Sequence, residues 1–257
     1  MYMKIKKLVI DILLVCCILV AAGSGWLLVR EAARAGKNCG ILESAAVVVN
    51  DVVKEKMEAE DWEDEGNLRL LGYEVLWRQN HDLAGWIAIE GTRIDYPVMQ
   101  TEAGEDFYLD HNWKGESSAY GVPFADGNCK LGGGCRNVVV YGHHMKDGSM
   151  FADLVRYEDE SFYEAHPVIR FDTLEACGEY QIIGVLRVPA VEEEKSFYLD
   201  MQAENEEQYE RYVDTVKDRS LYDCGVEMEE KTPLLTLVTC EYSRKEGRMI
   251  VVAKKIS

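Results

Sequence analysis

Thr236–Cys240 has the sequence TLVTC. Its apolar and polar residues alternate as in a β-strand, and this strand ends at a thiol and continues into polar residues. A substrate can reach a thiol at the junction of a strand and a loop. A thiolate is a strong nucleophile for acyl transfer when a positive or basic group lies nearby. Cys240 is therefore a candidate nucleophile, and the alternative is that it is a small core hydrophobe.

A second predicted strand ends in two histidines. Val138–Tyr141 is apolar and β-branched and runs into Gly142, His143 and His144. A histidine at a strand end can protonate a departing amine and deprotonate an incoming one, because imidazole gains and loses a proton near neutral pH. The alternative is a pair of surface histidines without a catalytic role.

An arginine opens the last predicted strand. Arg248 precedes Met249–Ala253, a short hairpin away from Cys240. A guanidinium stays charged and offers several fixed donors, so Arg248 could hold a substrate carbonyl or a developing oxyanion. An exposed arginine beside a strand is the alternative interpretation.

After Gly85 the chain consists mainly of short β-branched or aromatic runs between turn residues, a pattern typical of barrels and sandwiches. The predicted strands are Trp86–Glu90, Ile94–Met99, Val138–Tyr141, Val168–Phe171, Tyr180–Val188, Leu234–Thr239 and Met249–Lys254. Helical spacing interrupts them at Met150–Tyr163 and Ala203–Arg219. The apolar side of the second helix is formed by Tyr209, Tyr212, Val213 and Val216. We predict a mainly β protein, a barrel decorated with helices.

The N-terminal segment predicts a membrane anchor. Lys4, Lys6 and Lys7 precede residues 8–29, a nearly continuous apolar run that is long enough to span a bilayer as a helix. A basic tail before an acidic remainder predicts a cytoplasmic N-terminus and an extracellular catalytic part. The alternative is a cleaved signal peptide, because residues 21–25 are small.

Two further helices are predicted before the first strand. Ile41–Met57 carries apolar residues at helical spacing with charges elsewhere, as in an amphipathic helix. Leu68–Asn80 is predicted to be a second helix that leads toward the barrel.

Composition excludes several classes of protein. The net charge is −18, and no Lys/Arg-rich run lies outside the N-terminus, so no surface is predicted to bind nucleic acid. The cysteines and histidines lack the paired spacing of a zinc site, so no metal is expected. The cysteines beyond the anchor show no regular disulfide spacing, and a bond between Cys129 and Cys135 is left open.

Taken jointly, the histidine, the TLVTC strand and the following arginine resemble the sortase family of Gram-positive bacteria, whose signature is TLxTC with a catalytic arginine on the next strand. Tyr141–Phe151, YGHHMKDGSMF, is similar to class B sortases in particular. In that class the histidine directly after the glycine is catalytic, which selects His143 over His144. Gly85–Ile87 and Ile94–Val98 match the opening strands of the class.

The resemblance implies the fold and the division of the chain. The family fold is a closed eight-stranded β-barrel, and class B adds N-terminal helices and a long helix before the cysteine-bearing strand, here Ala203–Arg219. Combined with the anchor, this predicts a cytoplasmic tail at 1–7, a transmembrane signal anchor at 8–29, a helical stalk with the N-terminal helices at 30–80, and a catalytic barrel at 81–257.

The resemblance also implies a membrane-anchored cysteine transpeptidase that needs no cofactor. Cys240 would cleave an NPxTG-like or LPxTG-like sorting motif near the C-terminus of a secreted protein and hold the acyl part as a thioester. His143 would act as acid and base, and Arg248 would stabilise the oxyanion. The acceptor would be an amine of a cell-wall precursor such as lipid II, or a pilin lysine. Residues expected to line the substrate groove are Thr236, Thr239 and Glu241.

Two other functions remain open at this point. A secreted cysteine protease or a peptidoglycan amidase would use Cys240 and His143 with water as the acceptor. Arg248 disfavours a papain-like enzyme, which orients its histidine with Asn or Asp instead. The other alternative is a noncatalytic membrane-anchored binding module, in which Cys240 would serve packing alone.

Overall fold

The computed structural model describes residues 2–58, 64–102, 106–128, 131, 134–189, 194–229, 231–241 and 247–257. Some side chains inside helices and strands, those of Cys240 and Glu241 among them, lie outside this description. Contacts divide the chain into two units, Met1–Ile41 and Leu42–Ser257. The barrel and the candidate site belong to the second unit.

Eight strands of the described chain close into a barrel. They are β1 (Leu83–Ala88), β2 (Asp95–Met99), β3 (Phe124–Ala125), β4 (Asn137–Gly142), β5 (Val168–Thr173), β6 (Glu179–Val188), β7 (Leu234–Glu241) and β8 (Gly247–Lys255). Their order around the barrel is β1, β2, β3, β4, β7, β8, β6, β5. The pairs β2/β3 and β4/β7 are parallel, and the others are antiparallel. The predicted closed eight-stranded barrel is confirmed.

Five α-helices accompany the barrel within the described residues. They are α1 (Tyr2–Glu58), α2 (Glu65–Trp77), α3 (Glu160–Ala165), α4 (Lys195–Met201) and α5 (Glu206–Arg219). Asn205 begins α5 as its N-cap, because its side chain accepts a hydrogen bond from the amide of Gln208 at 3.0 Å. The predicted apolar side of α5 is buried against the barrel, which confirms that prediction.

The parallel pair β4/β7 forms the part of the barrel that carries the site. Most of the described residues in both strands are buried, as expected for strands that are covered on both faces. Two polar residues in them, Asn137 and Thr236, are fully buried. The Thr236 hydroxyl donates to Asn137 Oδ1 at 2.9 Å and lies 3.0 Å from the hydroxyl of Tyr212 on α5. This network joins both strands to α5.

Two short elements of the structure were not predicted from the sequence. β3 has two residues and α4 has seven. Neither is long enough to show a repeated apolar period, which is the signal that identifies strands and helices in a sequence. Both elements contribute to the wall of the candidate site.

Three predicted helices have different boundaries in the structure. The helix predicted at Leu68–Asn80 is α2, Glu65–Trp77. The helix predicted from Ala203 begins at Glu206, because Ala203 has a left-handed backbone with φ +48°. The helix predicted over Met150–Tyr163 is a 3-10 helix, Phe151–Glu158, followed by α3. Asp159 separates the two, because its side chain caps the start of α3.

The predicted anchor falls within α1. In the part of the chain that the structure describes, no helix combines the length and the apolar character required to cross a bilayer. The side chains of residues 2–15 lie outside that part. The span at 8–29 and the four-part division of the chain stay predictions. The amphipathic helix predicted at Ile41–Met57 forms the end of α1.

The cysteines differ in their bonding. Cys135 takes part in a disulfide bond. The sequence left open whether Cys135 bonds to Cys129, and Cys129 lies outside the described residues. The thiols that the structure shows to be free are those of Cys16, Cys17, Cys177 and Cys224.

Candidate active site

Strand register brings the three predicted catalytic positions together. In the parallel pair, Gly142 of β4 lies opposite Thr239 of β7. The next positions along the two chains are therefore His143 and Cys240. In the antiparallel pair β7/β8, Cys240 lies opposite Arg248. The nucleophile position thus lies between the histidine and the arginine across three adjacent strands.

A cavity of about 340 Å³ opens where these strands end. Val238, Thr239, His143 and Arg248 line it. The remaining lining residues come from neighbouring segments and are Asp106, Leu109, Phe124, Asp126, Tyr141, Gly142 and Tyr198. A mostly apolar wall with a few polar groups of this kind suits an extended peptide that must be both buried and oriented.

The imidazole of His143 is held at one ring nitrogen. Nε2 lies 2.7 Å from the carbonyl oxygen of Leu109. A carbonyl oxygen can only accept a hydrogen bond, so this contact is a hydrogen bond in the tautomer whose Nε2 carries the hydrogen. The main chain of His143 is also fixed, because its carbonyl accepts from the amide of Phe151 at 2.8 Å. His144 pairs with Met150 in an isolated bridge and does not line the cavity.

Arg248 supplies positive charge to the cavity. Its side chain is partly buried, and Nη1 donates to the carbonyl of Gly247 at 3.2 Å. Among the residues for which side chains are described, no carboxylate forms an ion pair with it. A guanidinium has five N–H donors. Arg248 can therefore donate to a ligand in the cavity while it keeps its bond to the main chain.

The three residues predicted to line the groove have different environments. Thr239 lines the cavity, and its hydroxyl donates to the carbonyl of Gly142 at 2.7 Å. Thr236 does not line it, because its hydroxyl is fully buried in the network with Asn137 and Tyr212. The structure therefore does not bring Thr236 to the cavity. The side chain of Glu241 lies outside the described residues.

A carboxylate and a phenol at the cavity were not identified from the sequence as site residues. Tyr141 donates to Asp126 Oδ2 at 3.3 Å, and Gln202 donates to the same oxygen at 3.1 Å. Burial raises the pKa of Tyr141, and the negative charge of Asp126 raises it further, so the phenol stays a donor. Tyr141 could have been found, because it precedes His143 by two positions on the same strand face. Asp126 follows β3 and had no such signal.

Comparison with known proteins agrees with this geometry. The sortase domain family matches residues 87–256. Sortase B of Listeria monocytogenes is 31% identical over 258 residues, covering 99% of this chain and 100% of that protein. The structure of a Staphylococcus aureus sortase B–substrate complex aligns with a TM-score of 0.75 at 28% identity, covering 88% of this chain and 99% of that one. Clostridium perfringens sortase B aligns with a TM-score of 0.66 at 34% identity, covering 72% and 99%.

The chain belongs to the sortase family, and it is a cysteine transpeptidase. Its relatives of known structure, and the relatives similar to it in sequence, place it in class B of that family.

Proposed function

We propose that this class B sortase is anchored in the cell membrane, cleaves an NPxTG-like or LPxTG-like sorting motif of secreted proteins, and joins the product to an amine. The strand register carries the proposal. It sets the position of Cys240 beside His143 on one side and opposite Arg248 on the other. These are the residue types that a thiol nucleophile, a proton carrier and an oxyanion donor require.

The first half of the reaction breaks a peptide bond. The thiolate of Cys240 attacks the carbonyl carbon of the motif, and the carbonyl oxygen takes up negative charge in a tetrahedral intermediate. Arg248 and backbone amides near Cys240 donate to that oxygen. The intermediate collapses as the carbon–nitrogen bond breaks and the imidazolium of His143 protonates the departing amine. A thioester on Cys240 remains.

The second half forms a new amide. An incoming amine attacks the thioester carbonyl, and the neutral imidazole of His143 takes its proton. The carbon–sulfur bond then breaks and releases the thiolate. One peptide bond is lost and one amide is gained, so the exchange needs neither a cofactor nor ATP.

The relatives support the classes of substrate. The S. aureus relative was solved as a sortase B–substrate complex, and another sortase B structure is complexed with triglycine. For this chain we propose a sorting-signal peptide as the acyl donor. The acceptor is the amine of a cell-wall precursor such as lipid II, or a pilin lysine.

The anchor would bring the reactants together. Residues 8–29 form an apolar run after a basic tail, which supports a single membrane pass with the N-terminus in the cytoplasm and the barrel outside the cell. A tethered enzyme, a membrane-associated acceptor and a substrate that emerges from the membrane share one surface. Their effective concentration is raised accordingly.

Intact-mass analysis tests the proposal. The full chain in detergent micelles is incubated with NPxTG-like and LPxTG-like peptides, with and without triglycine. We expect a thioester adduct and, with triglycine, an amide-linked product. Cys240→Ala abolishes both. Cys224→Ala is the matched control, because burial raises the pKa of this free thiol to about 11 and keeps it unreactive near neutral pH.

The other outcomes are equally specific. If the peptide is hydrolysed and no added amine is joined to the product, the enzyme is a protease or an amidase and the proposed transfer is wrong. A peptide adduct that survives Cys240→Ala would exclude Cys240 as the nucleophile.

A further inference from the structure

The carbonyl of Leu109 stands at the end of a short 3-10 helix, Phe107–Leu109. The last carbonyls of a helix have no partner within it and must find one elsewhere. The partner of this oxygen is Nε2 of His143, 2.7 Å away. The two residues are 34 positions apart in sequence, so the contact depends on how the loop after β2 is held against the end of β4.

The residue next to Leu109 anchors the loop to the barrel. Tyr108 is buried, and its hydroxyl donates to Asp82 Oδ2 at 2.8 Å and accepts from Asn80 Nδ2 at 2.9 Å. Its carbonyl accepts from the amide of Val122 at 3.1 Å. The peptide that carries the Leu109 carbonyl therefore has a fixed neighbour on its N-terminal side.

Gly121 has no side chain, and this leaves room for the carbonyl oxygens of Tyr108 and Leu109. Its φ is +57°, and a Cβ at this position would lie 2.5 Å from the Leu109 oxygen and 2.5 Å from the Tyr108 oxygen. Neither oxygen belongs to a flexible side chain, so any larger residue would have to displace the main chain. The position of the Leu109 carbonyl thus depends on a glycine that is far from it in sequence.

We propose that the Leu109 carbonyl, kept in place by Gly121, is the positioning group for His143 in the transfer reaction. It holds the neutral imidazole as the Nε2–H tautomer. Nδ1 is then the nitrogen that gives its proton to the departing amine and takes one from the incoming amine. In this arrangement a main-chain carbonyl orients the histidine, a role that an Asn or Asp side chain has in papain-like enzymes. This inference rests on the proposed role of His143.

A pair of glycine variants tests the positioning. Gly121→Ala drives a methyl group against the two carbonyls. Gly115→Ala is the matched control, because Gly115 has φ +75° but nothing lies within 4 Å of its added Cβ. Both variants carry the strain of a left-handed alanine, and only the first displaces Leu109. We expect Gly121→Ala to lower kcat about 10- to 100-fold with KM nearly unchanged, and Gly115→Ala to stay within about twofold of the parent.

The tautomer is measured independently of activity. The full chain in micelles is prepared with nitrogen-labelled histidine for NMR, and the His143 ring signals are assigned by their loss in His143→Gln. We expect the Nε2–H tautomer in the parent and a mixture of tautomers in Gly121→Ala. An Nδ1–H ring in the parent overturns the inference, as does a folded Gly121→Ala with parental kcat. If Gly121→Ala does not fold, the tautomer of His143 in the parent tests the inference alone: Nε2–H supports it and Nδ1–H overturns it.

The two proposals fail in different ways. Full activity in His143→Gln would remove the catalytic role of His143 and with it the proposed function. A wrong tautomer in an enzyme that His143→Gln inactivates would leave the proposed function standing and remove only the role of Leu109.

Discussion

Two polar clusters of the barrel differ in how their hydrogen bonds are used. Asp172 on β5 is fully buried. Its Oδ2 accepts from Tyr73 at 2.8 Å and from Arg69 Nε at 3.1 Å, and its Oδ1 accepts from the amide of Gly178 at 3.2 Å. At the cavity, by contrast, His143 and Arg248 are only partly buried and face space that a ligand can fill.

The contrast separates stability from function. A buried charge is tolerated only when its partners are complete, so the Asp172 cluster fastens α2 to the barrel and has little left to offer a ligand. Burial raises the pKa of Tyr73, and the charge of Asp172 adds to the shift, so its phenol stays a donor. At the cavity, Arg248 forms no ion pair with a carboxylate whose side chain is described, and its guanidinium keeps N–H donors beyond the one that binds the Gly247 carbonyl. It is the group expected to bind a developing negative charge.

The largest effect on stability is expected from Asp172→Ala. It leaves the Arg69 guanidinium, the Tyr73 hydroxyl and the Gly178 amide without their shared acceptor, and should lower the free energy of unfolding by about 3–5 kcal/mol. Urea unfolding measures the loss. Glu65→Ala is the control, because Glu65 pairs with the same arginine at 3.2 Å but is 72% exposed, and should cost less than about 1 kcal/mol.

The activity of folded Asp172→Ala sharpens the comparison. We expect kcat/KM per folded molecule to stay within about threefold of the parent, because the cluster does not line the cavity. A large loss of activity with parental stability would show that the division between the two clusters is wrong.

Arg248→Met should have the converse effect. Removal of the oxyanion donor is expected to lower kcat/KM about 100- to 1,000-fold. The free energy of unfolding should change by no more than about 1 kcal/mol, because the side chain is only partly buried. Steady-state kinetics and urea unfolding on the same preparation check both. Arg248→Lys keeps the positive charge but loses the fork of N–H donors. Its kcat/KM should lie between those of the parent and Arg248→Met.

A surface arginine provides the reference for that experiment. Arg78 is 68% exposed and pairs with Glu74 on α2. Arg78→Met should change neither quantity beyond error. If Arg248→Met is as active as Arg78→Met, another group must stabilise the oxyanion.

The smallest effect concerns Asp147, in the turn after His143. Burial alone would raise its pKa, but hydrogen bonds from the hydroxyl and amide of Ser149, together with the Tyr120 hydroxyl and the positive charge of Arg93, outweigh burial and lower the pKa below the ordinary 3.8. A carboxyl with a lowered folded pKa stabilises the fold above its unfolded pKa. That contribution disappears as pH falls through the lowered value.

Acid titration of stability checks this prediction. The parent should be more stable than Asp147→Asn at about pH 6, and the difference should shrink below pH 3.8. A difference that grows as the pH falls would reverse the assigned sign. Activity near neutral pH should change little, because Asp147 does not line the cavity.

Local pattern identified most of the barrel. Each predicted strand corresponds to a strand in the structure, displaced by a few residues at its ends. β3 and α4 were missed because they are too short to repeat a period. The groove-lining role expected of Thr236 came with the family resemblance and not from a local pattern. In the structure α5 covers Thr236, and its hydroxyl lies 3.0 Å from that of Tyr212.

The sequence by itself determined the chemistry at each strand end: a thiol at 240, an imidazole at 143 and a guanidinium at 248. Strand alternation depends on residues close together in the chain, so it can be read without a fold. Tertiary structure alone decided that Gly142 pairs with Thr239, 97 positions away, and that the Leu109 carbonyl meets His143. Such contacts depend on which strands pair when the barrel closes and on how the loops pack against their ends, and no local period encodes either choice.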